Sequence, residues 1–239
     1  MHRFYAPPDH FHAGSIVLDR DETLHLRDVI RLKPDGLVNV FDGVGHEFKC
    51  RIVEIKKGDT ELSIVEEVSP ASTESPLDLI LAAAMLKGEK FDLVVQKAVE
   101  LGVKTLVPLR TIRCDIKSRD SMKRHDRWKK IALEASKQTG RAVLMQVAEP
   151  VAFDAFLKKL PDIDAILFSE RSGQALDLKT KQNKLTAIIG PEGGWDDSEI
   201  ESASNAGITI VTLGGRILRA ETAAIAIAAV LQNRLGDFN

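Results

Sequence analysis

Two glycine-bearing loops near the carboxyl end of the chain combine residue types that suit a ligand pocket. The first loop, residues 190–194, reads GPEGG, and the second loop, residues 213–223, reads LGGRILRAETA. Each loop follows an apolar, strand-like run, residues 186–189 and residues 208–213 respectively. Because open α/β sheets bind ligands in the loops after the carboxyl ends of their strands, the two loops predict one pocket built mainly from backbone.

The second loop carries side chains that could bind a flat base and act on it. Leu213, Ile217 and Leu218 could sandwich such a base while backbone N–H and C=O groups read its edge. The arginines and the glutamate of the same loop add charge beside this apolar wall. Thr222 is better explained as a capping residue of the alanine-rich helix that follows.

The GPEGG loop is less specific when it is taken alone. It matches neither the dinucleotide fingerprint nor the phosphate loop, so the chain has no obvious pyrophosphate cradle. A tight strand-to-helix turn explains the loop equally well. Asp196 or Asp197, together with Glu199, predicts a capping box for the next helix, which Gly207 ends.

A basic stretch lies in the middle of the chain. Residues 110–141 hold eleven Lys and Arg against four Asp and Glu, although the whole chain has a formal net charge of −2. Such a local excess is typical of a surface that binds a phosphate backbone. The alternative is a solvated helix face with internal ion pairs.

Two domains are predicted from the pattern of strands and helices. Residues 1–70 contain three alternating, strand-like runs separated by turns, as in a small antiparallel barrel, and residues 69–76 read as a linker. In residues 76–239 strand and helix patterns alternate, which indicates a mostly parallel sheet covered by helices.

The composition excludes several other classes of protein. Two cysteines, Cys50 and Cys114, cannot form a disulfide framework, and the six histidines are scattered, so we expect no metal site. The first residues lack the apolar core of a signal peptide, and no run approaches the length of a membrane span. We therefore expect a cytoplasmic protein.

Several motifs together resemble one family. GPEGG followed by LGGRILRAETAA is similar to the signature of the SPOUT-class RNA methyltransferases, and more narrowly to the RsmE type, which methylates N3 of a uridine in 16S ribosomal RNA. QKAVELGV at residues 96–103, the RW…EA…QTGR pattern at residues 127–141 and HL…VIR at residues 25–31 resemble further segments of that type. The pair Thr23-Leu24 before His25 and the apolar residues 142–145 depart from the family pattern.

The resemblance implies a fold, a cofactor and partners. It implies a SPOUT α/β domain with a trefoil knot in roughly residues 165–235, and a PUA-like RNA-binding barrel at the amino end. It also implies a homodimer that binds S-adenosylmethionine in the knot and acts on 16S rRNA, within the assembled small ribosomal subunit. The expected donor-binding residues are Phe168, Glu170, Ile189, Gly190, Pro191, Glu192, Gly193, Leu213, Gly214, Ile217, Leu218, Arg219 and Thr222. The expected RNA-binding residues are Arg27, Arg31, Arg110, Arg113, Lys117, Arg119, Arg124 and Arg141.

The chemistry of uracil suggests catalytic residues. Methylation at N3 removes a ring proton, and the negative charge that develops spreads over the two flanking carbonyl oxygens. Arg219 is the first candidate to stabilise this charge and Arg216 the second. Glu221 or a water molecule could accept the proton. The alternatives are a non-catalytic RNA-binding module and a related knotted enzyme that methylates tRNA or another rRNA position.

Overall fold

The structure is a computed structural model that describes residues 1–114, 118–160, 164–171, 173–178 and 183–238. The chain divides into two compact units. The first unit comprises Met1–Glu74 and Leu133–Leu144, and the second comprises Ser75–Ala132 and Met145–Asn239. The sequence places a linker between the two domains, but it does not indicate that residues 133–144 belong with the amino-terminal unit.

The first unit is built on a curled sheet of short strands. The described residues of this sheet form the strands β1 (Arg3–Tyr5), β2 (Phe11–His12), β3 (Ser15–Leu18), β4 (Leu37–Phe41), β5 (Glu47–Ile55) and β6 (Thr60–Val68). Their order is β1-β4-β5-β6-β3-β2, and neighbours are antiparallel except for β1 and β4, which run parallel. Alternate residues such as Cys50 and Ile52 of β5 are fully buried, which is the period that a half-buried strand requires.

A short helical segment connects β3 to β4. Helix α1 (Arg20–Leu24) starts at Asp19, whose side chain accepts the Glu22 N–H. It continues directly into one π-helical turn, His25–Ile30, which ends at Arg31 in the left-handed conformation with φ of 62°.

Residues 133–144 are tied into the first unit through charged side chains. The Arg3 guanidinium donates to the backbone oxygens of Ser136 and Lys137 at 2.8 and 3.0 Å, and it pairs with the buried Glu47 carboxylate at 2.8 Å. The Lys137 ammonium donates to the buried Glu22 carboxylate. These buried partners explain why this stretch belongs to the first unit.

The second unit contains the parallel sheet that the sequence predicts. The described residues supply β7 (Asp78–Ala84), β8 (Thr105–Arg110), β9 (Gln146–Val147), β10 (Val151–Ala152), β11 (Ala165–Phe168), β12 (Lys184–Ile189) and β13 (Thr209–Val211). The main path is β10-β8-β7-β12-β11-β13, with β9 paired to β8, and every pair is parallel. The loops after β8, β11, β12 and β13 therefore emerge at one edge of the sheet.

Helices connect these strands. They are α2 (Lys90–Glu100), α3 (Ser118–Thr139), α4 (Phe153–Lys159), α5 (Asp197–Asn205) and α6 (Ala220–Leu235). Helix α2 buries Phe91, Val94, Val95 and Ala98, whose spacing of three and four residues places them on one face, and it is followed by Gly102 at φ of +69°.

The predicted capping box is also confirmed in α5. The Asp196 carboxylate accepts the Ser198 N–H, and the Glu199 carboxylate accepts the Asp196 N–H. Gly207 follows this helix with φ of +77°. In the part of the chain that the structure describes, no helix is long and apolar enough to cross a membrane.

Candidate active site

A cavity of about 780 Å³ lies at the carboxyl edge of the parallel sheet. The loops after β11, β12 and β13 line it together with the first turns of α6 and with Lys90 at the start of α2. Of the residues predicted to bind the donor, twelve line this cavity: Phe168, Glu170, Ile189, Gly190, Pro191, Glu192, Gly193, Leu213, Gly214, Ile217, Leu218 and Arg219. Thr222 is exposed and does not line it, and the cap position of α6 is Arg219, which makes no side-chain capping bond.

Sequence reasoning missed several lining residues. The site prediction left out Lys90, Ser169, Gly194, Thr212, Gly215, Ala220, Ala223 and Ile227. Of these, Gly194, Gly215, Ala220 and Ala223 lie inside the two loops that the sequence predicts to form the pocket, and Ser169 lies between Phe168 and Glu170, which the prediction includes. Lys90 gives no such signal, because it reaches the cavity from an element about a hundred residues earlier in the chain, a separation that spacing cannot reveal.

Gly190 is required by a buried tryptophan. A Cβ at Gly190 would lie 2.9 Å from Nε1 of Trp195. The Trp195 indole is fully buried, and its Nε1–H donates to the Phe168 backbone oxygen at 2.9 Å. Its ring centroid lies 4.9 Å from that of Phe153. The loop after β12 is thereby fastened to the end of β11 by an indole that touches the Gly190 backbone.

Gly194 needs its glycine for a different reason. Its φ is +69°, a conformation that is costly for residues with a side chain, and a Cβ there would collide with the Glu170 carboxylate. The Glu170 carboxylate itself lies 3.3 Å from Nε of Arg171. The β11 and β12 loops are therefore in direct contact at two points, through Gly194 and through Trp195.

Glu192 contacts the start of α2. Its Oε1 accepts from Lys90 Nζ at 3.1 Å and from the Lys87 N–H at 3.3 Å. Both side chains of the ion pair are partly exposed, at 42% for Lys90 and 32% for Glu192. Lys90 therefore brings a cation to the wall of the cavity.

The loop after β13 presents apolar side chains that its own fold does not cover. Leu213, Ile217 and Leu218 are 44%, 82% and 38% exposed. Gly214 and Gly215 take positive φ values of 68° and 76°, so the loop turns without large side chains at its bend. Adjacent exposed aliphatic residues beside a cavity mark a surface that a ligand would cover.

The charged residues of this loop that line the cavity are Arg216, Arg219 and Glu221. Arg216 and Arg219 make no side-chain hydrogen bond or ion pair with the residues that the structure describes. The Glu221 Oε2 atom is buried and has no partner among the described residues, although a buried carboxylate oxygen normally accepts a hydrogen bond. The cavity wall thus carries two available guanidinium groups and one acceptor that a ligand hydrogen could satisfy.

The predicted RNA-binding residues of the first unit differ in their availability. Arg31 is exposed, and Arg27 forms an exposed pair with its neighbour Asp28 at 2.7 Å. Arg141 is only 4% exposed and forms a two-pronged pair with Glu74, at 3.0 and 2.7 Å. The Arg141 guanidinium therefore serves inside the unit and is not presented to solvent.

In the second unit the basic side chains also make internal bonds. Arg110 donates to the Pro150 backbone oxygen at 3.0 Å, and Arg124 donates to that of Gly88 at 3.5 Å. Arg113 donates to the Gly193 oxygen and to Asp196. Arg119 lies in α3, and Lys117 lies outside the described residues.

A parallel α/β unit with such a cavity, joined to a small strand-rich unit, is matched by two family models. Residues 73–232 match an RNA methyltransferase domain, and residues 18–65 match an RNA methyltransferase PUA domain. The chain belongs to this RNA methyltransferase family.

Individual relatives are similar over most of the chain. Ribosomal RNA small subunit methyltransferase E from Synechocystis sp. is 35% identical over 96% of this chain and 77% of the relative, and the Bacillus subtilis protein of the same name is 28% identical over 91% and 90%. The crystal structure of ribosomal RNA small subunit methyltransferase E from Neisseria gonorrhoeae bound to S-adenosyl methionine has 33% identity and a TM-score of 0.91, with 100% of both chains covered. A Legionella pneumophila structure in complex with the cofactor SAM has 34% identity, a TM-score of 0.89 and 98% coverage of both chains.

Proposed function

We propose that this chain transfers a methyl group from S-adenosylmethionine to N3 of a uridine in the 16S ribosomal RNA of the small subunit. The observation that carries the proposal is the cavity at the carboxyl edge of the parallel sheet, with exposed aliphatic side chains and available arginines in the β13 loop. Relatives that bind this donor share the fold over the whole chain.

The residues of the cavity suit the donor in size and in chemistry. A volume of about 780 Å³ is in the range that holds a nucleoside-sized ligand. Leu213, Ile217 and Leu218 would lie against the adenine, and the backbone of residues 190–194 would read its polar edge. The remaining predicted donor residues form the rest of the wall: Phe168, Glu170, Ile189 and Gly214. Thr222 does not reach the cavity, so we leave it out of the proposed set.

The bound donor would supply a reactive methyl group. Charged side chains of the β13 loop then act on the uracil base. Arg219 stabilises the negative charge on the uracil carbonyl oxygens in the transition state, with Arg216 as the second candidate. Glu221 accepts the N3 proton directly or through a water molecule. This role is supported by its buried Oε2 atom, which has no partner among the described residues.

RNA contacts are proposed for basic residues in each unit. In the first unit they are Arg27 and Arg31, beside the π-helical turn. In the second unit they are Arg110, Lys117, Arg119 and Arg124. N3 faces inward in paired RNA, so the target uridine is unpaired or flipped out when it is methylated.

We further propose the remaining features that the family resemblance implies. They are a trefoil knot in roughly residues 165–235, a homodimer, a cytoplasmic location, action on the assembled small subunit, and domain limits of 1–70 and 76–239. Hydrogen bonds that join the β11 loop to β13, from Ser169 N–H to Val211 O and from Gln174 N–H to Ile210 O, support the knot. Half-buried small residues on α6, such as Ala226 and Ala229, support a subunit contact.

The proposal is tested by donor binding and by analysis of the methylated product. We expect calorimetry to show that the protein binds S-adenosylmethionine. Nucleoside mass spectrometry should show 3-methyluridine in small subunits that were incubated with the protein and S-adenosylmethionine. Arg219→Ala should lower the turnover number about a hundredfold and leave the donor dissociation constant within twofold, because Arg219 acts on the transition state. Absence of donor binding, or a methyl group on another atom or on tRNA, would refute the proposed function.

A further inference from the structure

The loop between β12 and α5 is held by residues that follow two other strands, β8 and β11. From the end of β8, Arg113 Nη1 donates to the Gly193 oxygen and Arg113 Nη2 donates to Asp196 Oδ2, each at 3.2 Å. The adjacent Ile112 N–H donates to Glu199 Oε1 at 2.8 Å. Two hydrogen bonds thus join the β8 loop to the loop after β12, and a third joins it to the first turn of α5.

Arg171, from the end of β11, contacts the same loop. Its Nη2 donates to the Trp195 backbone oxygen, and its Nη1 lies 3.2 Å from Asp197 Oδ1. Its Nε lies 3.3 Å from Glu170 Oε1, and Glu170 lines the cavity. Arg113 and Arg171 therefore contact interleaved residues of one short segment, 193 and 196 for Arg113, and 195 and 197 for Arg171.

The chemistry of these contacts suits a clamp. Guanidinium groups carry several N–H donors in a fixed plane, so each arginine bonds a backbone oxygen and a carboxylate at once. Hydrogen bonds from the Ser198 hydroxyl and amide, and then from Arg113, hold the pKa of Asp196 below its ordinary value. The Asp196 partner is therefore ionised at neutral pH.

We infer that Arg113 and Arg171 are positioning residues of the donor site, which fix the 193–197 loop in the conformation that receives S-adenosylmethionine. This inference rests on the proposed function. It assigns Arg113 a role other than the RNA-phosphate contact that its position in the basic stretch predicts, and it assigns a role to Arg171, which the sequence did not single out.

The two roles of Arg113 differ in a measurable way. A phosphate ligand needs only a positive charge, so Arg113→Lys should preserve RNA binding and its salt dependence. A clamp needs two N–H groups at a fixed separation. The lysine ammonium should therefore replace the Arg113 guanidinium only in part. A charge contact with RNA would also disappear in Arg113→Ala, and the slope of log K against log salt would then fall by about 0.7 to 0.9.

The experiment compares the full-length protein with Arg113→Ala, Arg113→Lys, Arg171→Ala and the double alanine variant. S-adenosylhomocysteine binding is measured by calorimetry, RNA binding by salt titration, and kcat and KM by methylation kinetics. We expect each alanine variant to raise the donor dissociation constant and KM about tenfold, which corresponds to one charged hydrogen bond. At saturating donor, kcat should stay within threefold of wild type, and the RNA salt slope should not change.

Arg234→Ala is the matched control. It removes one arginine from α6 of the same unit, about 10 Å along the helix axis from Ile227, the last residue of α6 that lines the cavity. Its donor dissociation constant should equal that of wild type. The Arg113→Lys variant should show a donor dissociation constant raised about fivefold with a cooperative thermal transition, which separates the clamp from a failure to fold.

Two results would overturn the inference. One is a donor dissociation constant that is unchanged in both alanine variants; the other is a reduced RNA salt slope in Arg113→Ala that Arg113→Lys restores. Failure of wild type to bind S-adenosylhomocysteine would instead refute the proposed function, so the two failures are distinguishable.

Discussion

Replacement of Gly190 by alanine should destabilise the protein, even though the backbone at this position allows alanine. The added Cβ would lie 2.9, 3.0 and 3.2 Å from the Nε1, Cε2 and Cδ1 atoms of Trp195. The indole cannot move away easily, because it is fully buried and hydrogen-bonded to Phe168. Accommodation of the methyl group therefore requires the indole to shift.

The expected magnitude follows from three terms. Overpacking of a buried site costs about 1–3 kcal/mol, and a weakened tryptophan hydrogen bond adds about 1 kcal/mol. The lower chain entropy of alanine in the unfolded state offsets this by about 0.5 kcal/mol. We therefore expect Gly190→Ala to lower the free energy of unfolding by about 1.5–3.5 kcal/mol.

A double-mutant cycle with Trp195→Phe isolates the contact. Phenylalanine lacks the indole Nε1 and Cε2 atoms, the two that the new methyl group would approach most closely. The double variant should therefore be about 1–2 kcal/mol more stable than the sum of the single effects predicts. Urea unfolding followed by circular dichroism measures these values from the midpoints at unchanged slope. Gly58→Ala is the control, since a Cβ at Gly58 meets nothing within 4 Å. A loss below 0.5 kcal/mol in Gly190→Ala, or strict additivity in the cycle, would refute the packing argument.

Three further predictions concern other side chains. Arg141→Ala should lower the free energy of unfolding by about 2–3 kcal/mol, because it leaves Glu74 without its buried partner; Arg27→Ala, which breaks an exposed pair, should change it by less than about 0.5 kcal/mol in the same urea experiment. Burial raises the pKa of the Cys50 thiol to about 12, so iodoacetamide at pH 8 should leave Cys50 unmodified in the native protein, as peptide mass spectrometry would show. Hydrogen bonds lower the pKa of Asp196 in the fold, so its carboxylate stabilises the protein above the ordinary pKa of 3.8, and this contribution is lost as the pH falls further. Asp196→Asn should therefore make the free energy of unfolding less dependent on pH in the acid range, and an unchanged dependence would contradict this.

Features set by local sequence were predictable. The capping box of α5 depends on Asp196 and Glu199, three residues apart, and the burial of α2 follows from its helical spacing. The order of apolar strands and glycine loops also indicated a parallel sheet with a pocket at its carboxyl edge, and the two loops do line one cavity. In the first two cases the interacting groups are neighbours in the chain. In the third case the prediction depends only on the rule that the carboxyl ends of parallel strands lie at one edge of the sheet.

Features that depend on distant residues were not predictable. The role of Arg113 depends on Gly193, eighty residues later, and the need for glycine at 190 depends on how Trp195 folds back. A basic residue in a basic stretch has the same sequence signal whether it binds phosphate or a backbone oxygen. Charge counting therefore overestimates the solvent-facing positive surface, and Arg141 is the clearest example.

The membership of residues 133–144 in the first unit affects how these enzymes can be recombined. A chimera that takes only residues 1–74 from a relative would place the relative's residues at positions 22 and 74 against Lys137 and Arg141 of this chain. Each mismatch would leave a charge in the interior without its counterion. Exchange of the first unit therefore requires two separate pieces of the donor gene, one of them only twelve codons long.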